Sequence, residues 1–300
     1  MRMVKLAVIL GVLFLAGIGV AGAQEIAKHI NNNTRWLCYY GEDRRVLGVK
    51  DYDLLILESE SIGRIRPADK GNRRCIGYMS IGEAENGRWF FPAIADQSWV
   101  LDPNPDWPES YRVDSRSLEW QDLLLFQVAQ SILDQGYDGL FLDNVDNGEI
   151  LIEEDPERFA GADQATIDLI RKLRERYPDA TIVANNGLEV VPLAAPYLDG
   201  MMYEGVRSTW KAPEGDEETD ADGFAYGDID PEYREWLLPR LERVKAAGVP
   251  ILALDYTYIN DQDKVEKLYQ ECRQDGTIPY VSIRSLDWFP GIESLPPLDD

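Results

Sequence analysis

A single histidine in 300 residues restricts the chemistry open to this chain. His29 lies upstream of the first strand-like segment, a poor position for a Ser-His-Asp relay at the far rim of an α/β fold. With one histidine and three cysteines (Cys38, Cys75, Cys272), no metal motif with His or Cys spacing can be assembled, so no metal and no cofactor is expected. Three cysteines are too few for a disulfide framework, and the odd number leaves at least one unpaired. A Cys38–Cys75 bridge would require Cα atoms within about 7 Å. The plainer expectation is three buried, small apolar side chains.

Basic residues are also scarce. Lys and Arg number 30 against 54 Asp and Glu, a net charge of −24. Such a surface repels nucleic acid and anionic membranes, while a neutral or cationic partner is accommodated more easily. A solubility or salt-adapted surface carries the same charge, so the charge alone does not choose a substrate. Long apolar runs are confined to residues 6–20, which follow Arg2 and Lys5 and precede Ala21, Gly22 and Ala23. This is the pattern of a signal peptide over 1–23, cleaved near Ala23 and excluded from the fold. The run is shorter than the roughly 20 residues of a spanning helix, so no stable membrane insertion is expected after cleavage. A secreted or periplasmic location follows, with 24–300 as one domain, because no repeat or linker divides it. Removing Arg2 and Lys5 leaves 28 basic residues against 54 acidic, or −26.

Within that domain, eight short apolar runs bounded by turn residues read as strands: 35–40, 53–58, 75–80, 139–143, 181–185, 200–204, 250–254 and 278–283. The fourth, Gly139 to Leu142, is continuously apolar rather than alternating, as suits a parallel strand covered on both faces. Helical patterns occupy 118–135, 164–177, 231–247 and 261–274, with Gly136 and Gly248 as stops. Eight strands with intervening helices predict a (β/α)8 TIM barrel. The first crossover, 41–52, is too short for a full helix, so that side should be irregular.

Polar residues gather where the strands end. Asp143, Asn185, Glu204 and Asp255 close four strands or directly follow them, Glu58 closes another, and Glu83 lies just past the third. The carboxyl ends of parallel strands are where such folds place their ligand sites. With histidine absent there, proton transfer falls mainly to carboxylates, with tyrosine, lysine or water as lesser options. A carboxylate pair across an aromatic-lined cleft is the equipment of glycoside hydrolysis. The competing reading makes these acids rim charges paired with Arg73, Arg207 or Arg284.

Four motifs in chain order sharpen this. Residues 78–85 (Tyr-Met-Ser-Ile-Gly-Glu-Ala-Glu), 137–146 (Tyr-Asp-Gly-Leu-Phe-Leu-Asp-Asn-Val-Asp), 184–187 (Ala-Asn-Asn-Gly) and Tyr203-Glu204 together resemble glycoside hydrolase family 114, the endo-α-1,4-polygalactosaminidase-like barrels. The resemblance spans nearly all of 30–290. It implies a secreted (β/α)8 hydrolase that cuts α-1,4-linked galactosamine polymers with neither metal nor organic cofactor. It also implies a catalytic pair, an Asp ending the fourth strand and a Glu ending the sixth, matched here by Asp143 and Glu204. Asp143 is then the candidate nucleophile or electrostatic stabiliser, and Glu204 the proton donor, its pKa raised among Met201, Met202 and Tyr203.

Tyr40, Tyr78, Glu83, Asn144, Asn185, Tyr203 and Asp255 form the candidate substrate-binding shell, in which sugars stack on aromatic faces and polar groups meet hydroxyls or amines. Gly82 would give Glu83 a sharp exit from its strand. Glu58 suits a structural ion pair better. Two long loops, 85–116 with Trp89, Trp99 and Trp107, and the acidic 205–230, are expected to shape the cleft. The same features would also serve a carbohydrate-binding barrel without turnover, or a hydrolase or lyase acting on a different glycan.

Overall fold

The computed structural model describes residues 30–292; the expected signal peptide and His29 lie outside them. Eight parallel strands follow one another in sequence order around a single sheet: β1 Trp36–Tyr39, β2 Leu54–Leu57, β3 Arg74–Ser80, β4 Gly139–Asp143, β5 Thr181–Asn185, β6 Gly200–Glu204, β7 Ile251–Tyr256 and β8 Ile278–Ser282. All eight overlap the runs read from the sequence, with β3 starting one residue earlier and β7 running two residues past 254. The circle closes through side chains: Trp36 Nε1 donates to the Ile278 carbonyl at 2.9 Å, and its ring lies 5.3 Å from Tyr280. This is a nearly closed (β/α)8 barrel.

The strands are apolar on both faces because both are covered, one by the barrel interior and one by helices. Residues 140–142 are wholly buried, as are Ile56, Met202 and Tyr280. At Gly139 a Cβ would stand 2.0 Å from the Thr181 carbonyl, so only glycine lets β4 approach β5 there.

The helical layer is uneven, as expected. The first crossover holds only a 3₁₀ turn, Arg44–Gly48, and the second two single-turn helices, Ser59–Ile62 and Pro67–Lys70. Continuous helix runs over 118–134, with a π segment at Leu124–Val128, and further helices span Ala162–Arg176, Pro231–Ala246 and Gln262–Gln274. Helix Ala162–Arg176 is pinned at the barrel's lower end by a buried ion pair, Arg174 to Asp199 at 2.6 Å. Removing one partner of such a pair costs about 3–5 kcal/mol.

The two long loops carry more order than their sequences suggested. Glu83–Glu85, Val100–Pro103 and Ser110–Val113 form a three-stranded antiparallel sheet beyond β3, and Ser208–Lys211 pairs with Ala225–Asp228 as a hairpin beyond β6. Strand pairing gives their backbone polar groups partners away from the barrel sheet.

Candidate active site

Which side chains face the barrel interior follows from register, since alternate residues of a strand point to opposite faces. Tyr78 pairs with Phe141, and Ser80 with Asp143, so Tyr78 and Asp143 share a face. Asn185 pairs with Met202 and so shares the face of Glu204, two residues on. Leu254 pairs with Glu204, which puts Tyr256 on that face and Asp255 on the other.

The interior set converges at the carboxyl ends of the strands. The side-chain amide of Asn185 donates to Asp143 Oδ1 at 2.9 Å and to Glu204 Oε1 at 2.8 Å, one nitrogen bridging both carboxylates. Asp143 also accepts from the Tyr78 hydroxyl at 2.7 Å and from the Asn144 backbone N–H at 2.8 Å. Glu204 accepts from the Tyr256 hydroxyl through its other oxygen. Burial pushes the Glu204 carboxyl above its ordinary pKa; the hydrogen bonds from Tyr256 and Asn185 pull it back, and the charge of Asp143 adds to the upward push.

Asn144 adopts the left-handed region with φ 56°, which turns the chain sharply away behind Asp143, and its side chain accepts from Ser80 Oγ at 2.6 Å. Gly82 is required by close approach rather than by a special φ: a Cβ there would stand 2.3 Å from the Asn144 carbonyl. Tyr40 packs edge-on against Tyr78, ring centroids 5.2 Å apart.

A cavity of about 1210 Å³ opens over this centre. Tyr40, Tyr78, Glu83, Asn144, Asn185 and Tyr203 line it together with Asp143 and Glu204. Glu83 is buried, and both its oxygens are taken by the inserted sheet, Oε1 by Asn104 Nδ2 at 2.8 Å and Oε2 by Ser110 Oγ at 2.6 Å. Burial raises its pKa. Tyr203 meets Tyr233 hydroxyl to hydroxyl at 2.6 Å.

Asp255 belongs elsewhere and does not line the cavity. It points to the outer layer, where Oδ1 accepts the Arg207 and Ser208 N–H groups at 2.7 and 2.9 Å and Oδ2 meets Cys272 Sγ at 3.0 Å. The expectation that it binds substrate is corrected by this enclosed set of partners on the outer face, and Tyr256, on the inner face, lines the cavity instead. The acidic tip of the 205–230 segment is likewise remote: Asp216, Glu217, Glu218, Asp220 and Asp222 do not line the cavity, whereas Thr209 and Trp210 do. Glu217 is paired with Lys211 instead, at 3.1 Å.

The arginines do not pair with the central carboxylates. Arg207 binds Asp275 and Glu271, Arg73 binds backbone carbonyls, and Arg284 is enclosed by aromatic rings. Glu58 receives Arg88 in a forked ion pair of 2.9 and 3.0 Å, the structural role its sequence position suggested. Cys38, Cys75 and Cys272 are all buried and free.

Sequence reading missed several further acids of the cleft, two of them with strongly raised pKa values. Asp146 and Glu149 line the cavity, with pKa values pushed up to about 6 and about 7, chiefly by burial. Their cue was the acid spacing in the turn after Asp143. Tyr233 and Trp236 also line it, stacked at 5.3 Å and half exposed on the helix after β6.

Comparison with known proteins adds a family and a fold. The model of Glycoside-hydrolase family GH114 matches residues 21–293. The glycoside hydrolase domain of PelA from Pseudomonas aeruginosa is similar at 27% identity and a TM-score of 0.71, with 85% of this chain and 96% of that one covered. Aspergillus fumigatus Ega3, crystallised in complex with galactosamine, shares the fold at 16% identity and a TM-score of 0.63, over 86% of this chain and 94% of its own. An uncharacterised protein of Thermotoga maritima is 26% identical over 229 residues, 71% of this chain and 66% of the relative's length.

Proposed function

Because the chain belongs to glycoside-hydrolase family GH114, we propose that it is an exported enzyme that cleaves a galactosamine-containing polysaccharide within the chain, with Asp143 and Glu204 as its carboxylate pair. The observation that carries this reading is the Asn185 amide bonded to both carboxylates at 2.9 and 2.8 Å. Two acceptors of one –NH2 group lie about 5 Å apart, the separation of carboxyls in retaining glycosidases, and inverting enzymes leave about 6.5–9.5 Å for a water.

Glu204, with its raised pKa, protonates the departing glycosidic oxygen. Asp143, oriented by Tyr78, Asn185 and the Asn144 N–H, attacks the anomeric carbon as the C–O bond breaks. Glu204, now a carboxylate, takes a proton from water, and the hydroxide equivalent displaces Asp143 with net retention.

Asn185 holds the two groups in register throughout. Asp146 and Glu149 offer acceptors to an ammonium-bearing sugar, and the Tyr233–Trp236 stack offers a face for its ring. The acidic balance of the chain suits a cationic polymer as substrate. Export rests on the 1–23 leader; among the described residues no helix is long and apolar enough to cross a membrane.

Reducing-end release from polymers of galactosamine, N-acetylgalactosamine and galactose tests the reading, with the anomer of the first product followed by NMR. Cleavage of galactosamine-containing polymer with retention is expected, and Asp143→Asn should abolish it. If nothing is cut and Asp143→Asn alters only ligand affinity, the protein is a binding barrel instead.

A further inference from the structure

Among the described residues, the cleft of this strongly acidic chain holds a cation that answers to no carboxylate. Arg284, two residues past β8, lines the cavity together with Trp107 and Trp210. Its guanidinium carbon lies 4.5 Å from the ring centre of Trp107, 4.5 Å from that of Trp210 and 3.9 Å from that of Phe224. Those rings come from the inserted sheet after β3 and the hairpin after β6, so two separate excursions of the chain meet on one side chain that follows β8.

Among the described residues Arg284 makes no ion pair, and its buried Nε has no hydrogen-bond partner. Every other arginine that lines the cavity is neutralised: Arg88 by Glu58 and Glu85, Arg240 by Glu189. A guanidinium donates hydrogen bonds and accepts none; with Nε enclosed, an acceptor oxygen in the cavity would meet the terminal nitrogens, which have no hydrogen-bond acceptor among the described residues. Trp107 beside it is half exposed and adds an apolar face.

Two substituents of an amino sugar can be weighed against this corner. A primary ammonium is a cation with donors only, and Arg284 repels it. An acetamido group has a carbonyl acceptor, a planar amide and a methyl group. The carbonyl suits the guanidinium edge, and the amide and methyl suit the indole faces. A carboxylate would also satisfy the arginine, but Asp143, Glu204 and Glu83 in the same cavity oppose an anionic sugar.

We infer that Arg284, with Trp107 and Trp210, forms a subsite for an N-acylated hexosamine residue, so that the enzyme reads the pattern of acylation along a partly N-acetylated polymer. The inference rests on the proposed glycosidase activity and adds the position of the acyl group to it.

The test compares kcat/KM on a partly N-acetylated galactosamine polymer with kcat/KM on its fully de-N-acetylated form, for the wild type, Arg284→Met and Arg284→Lys. In the wild type, mass spectrometry of the products should find the acetyl group enriched at one fixed position from the cut bond. In Arg284→Met the ratio of the two kcat/KM values should fall about tenfold, the usual effect of one charge-assisted hydrogen bond, and the enrichment should disappear. Arg284→Lys keeps the charge beside the rings but loses the planar fork and its stacking, so it should show a smaller fall in the ratio than Arg284→Met.

If both variants lower the two activities in equal proportion, or the products show no positional enrichment, the subsite is overturned and Arg284 merely ties the loops together. If the wild type cuts neither polymer, the glycosidase reading itself has failed.

Discussion

Glu204 and Asp255 stand at the ends of neighbouring parallel strands, both are carboxylates, and burial raises the pKa of both. One opens on the cleft beside Asp143; the other anchors a backbone turn behind the barrel wall. They differ by a single step of strand register, since Leu254 rather than Asp255 lies opposite Glu204. A buried, perturbed carboxylate at a strand end is therefore not enough to place a group in the cleft. What separates the two is the environment: Glu204 meets its donors beside open space, whereas Asp255 meets two backbone N–H groups and the Cys272 thiol in a closed shell.

The widest separation should come from Glu204→Gln, which keeps shape and removes the proton. Its kcat is expected to fall about 10³-fold with little change in melting temperature, as for loss of a general acid. A variant still within tenfold of the wild type would place the acid elsewhere, with Asp146 the next group to try.

Asn185→Ala should come second, at about 10²-fold in kcat, since it unties both carboxylates at once. It carries a pH signature as well. The Asn185 and Tyr256 hydrogen bonds hold the Glu204 pKa down, so removing either should let it climb. Activity that needs protonated Glu204 should then persist to higher pH, and the alkaline limb of the kcat/KM profile should move upward in both Asn185→Ala and Tyr256→Phe. A downward movement would contradict the assignment of Glu204 as the acid.

Asp255→Ala should invert the pattern. Turnover is expected to stay within about threefold of the wild type, while stability drops by about 1–3 kcal/mol in urea unfolding because the Arg207 and Ser208 N–H groups are left unpaired. Loss of turnover without loss of stability would return Asp255 to the cleft.

The smallest effect should belong to Glu149. Its folded pKa of about 7 is above its ordinary range, so the folded state holds the proton more tightly than the unfolded one. The associated stability is complete at low pH and is lost as pH rises through about 7. Glu149→Gln cannot ionise and should melt a few degrees above the wild type at pH 8, yet match it at pH 4, by calorimetry. Equal shifts at both values would mean that the carboxyl does not carry the burial cost.

Much of the barrel was legible because its cause is local. A parallel strand covered on both faces must be apolar along its length, and 139–142 shows this without any partner in view. The single histidine left proton transfer to carboxylates, and strand ends supplied Asp143 and Glu204. The inserted sheet and the hairpin read as loops, because edge strands such as Val100–Pro103 are half exposed and carry no run of apolar residues.

By itself, then, the sequence determined the number and order of the barrel strands, the acidic character of the chain and the residues near each barrel-strand end. The tertiary structure decided which of those residues meet. Facing direction depends on register between strands distant in the chain, and a shift of one residue exchanges Asp255 for Tyr256. It also brought Asn185 between the two carboxylates and Arg284 among rings from two separate insertions. Contacts of that kind span between 19 and 42 residues for Asn185 alone, and no local pattern in the chain encodes them.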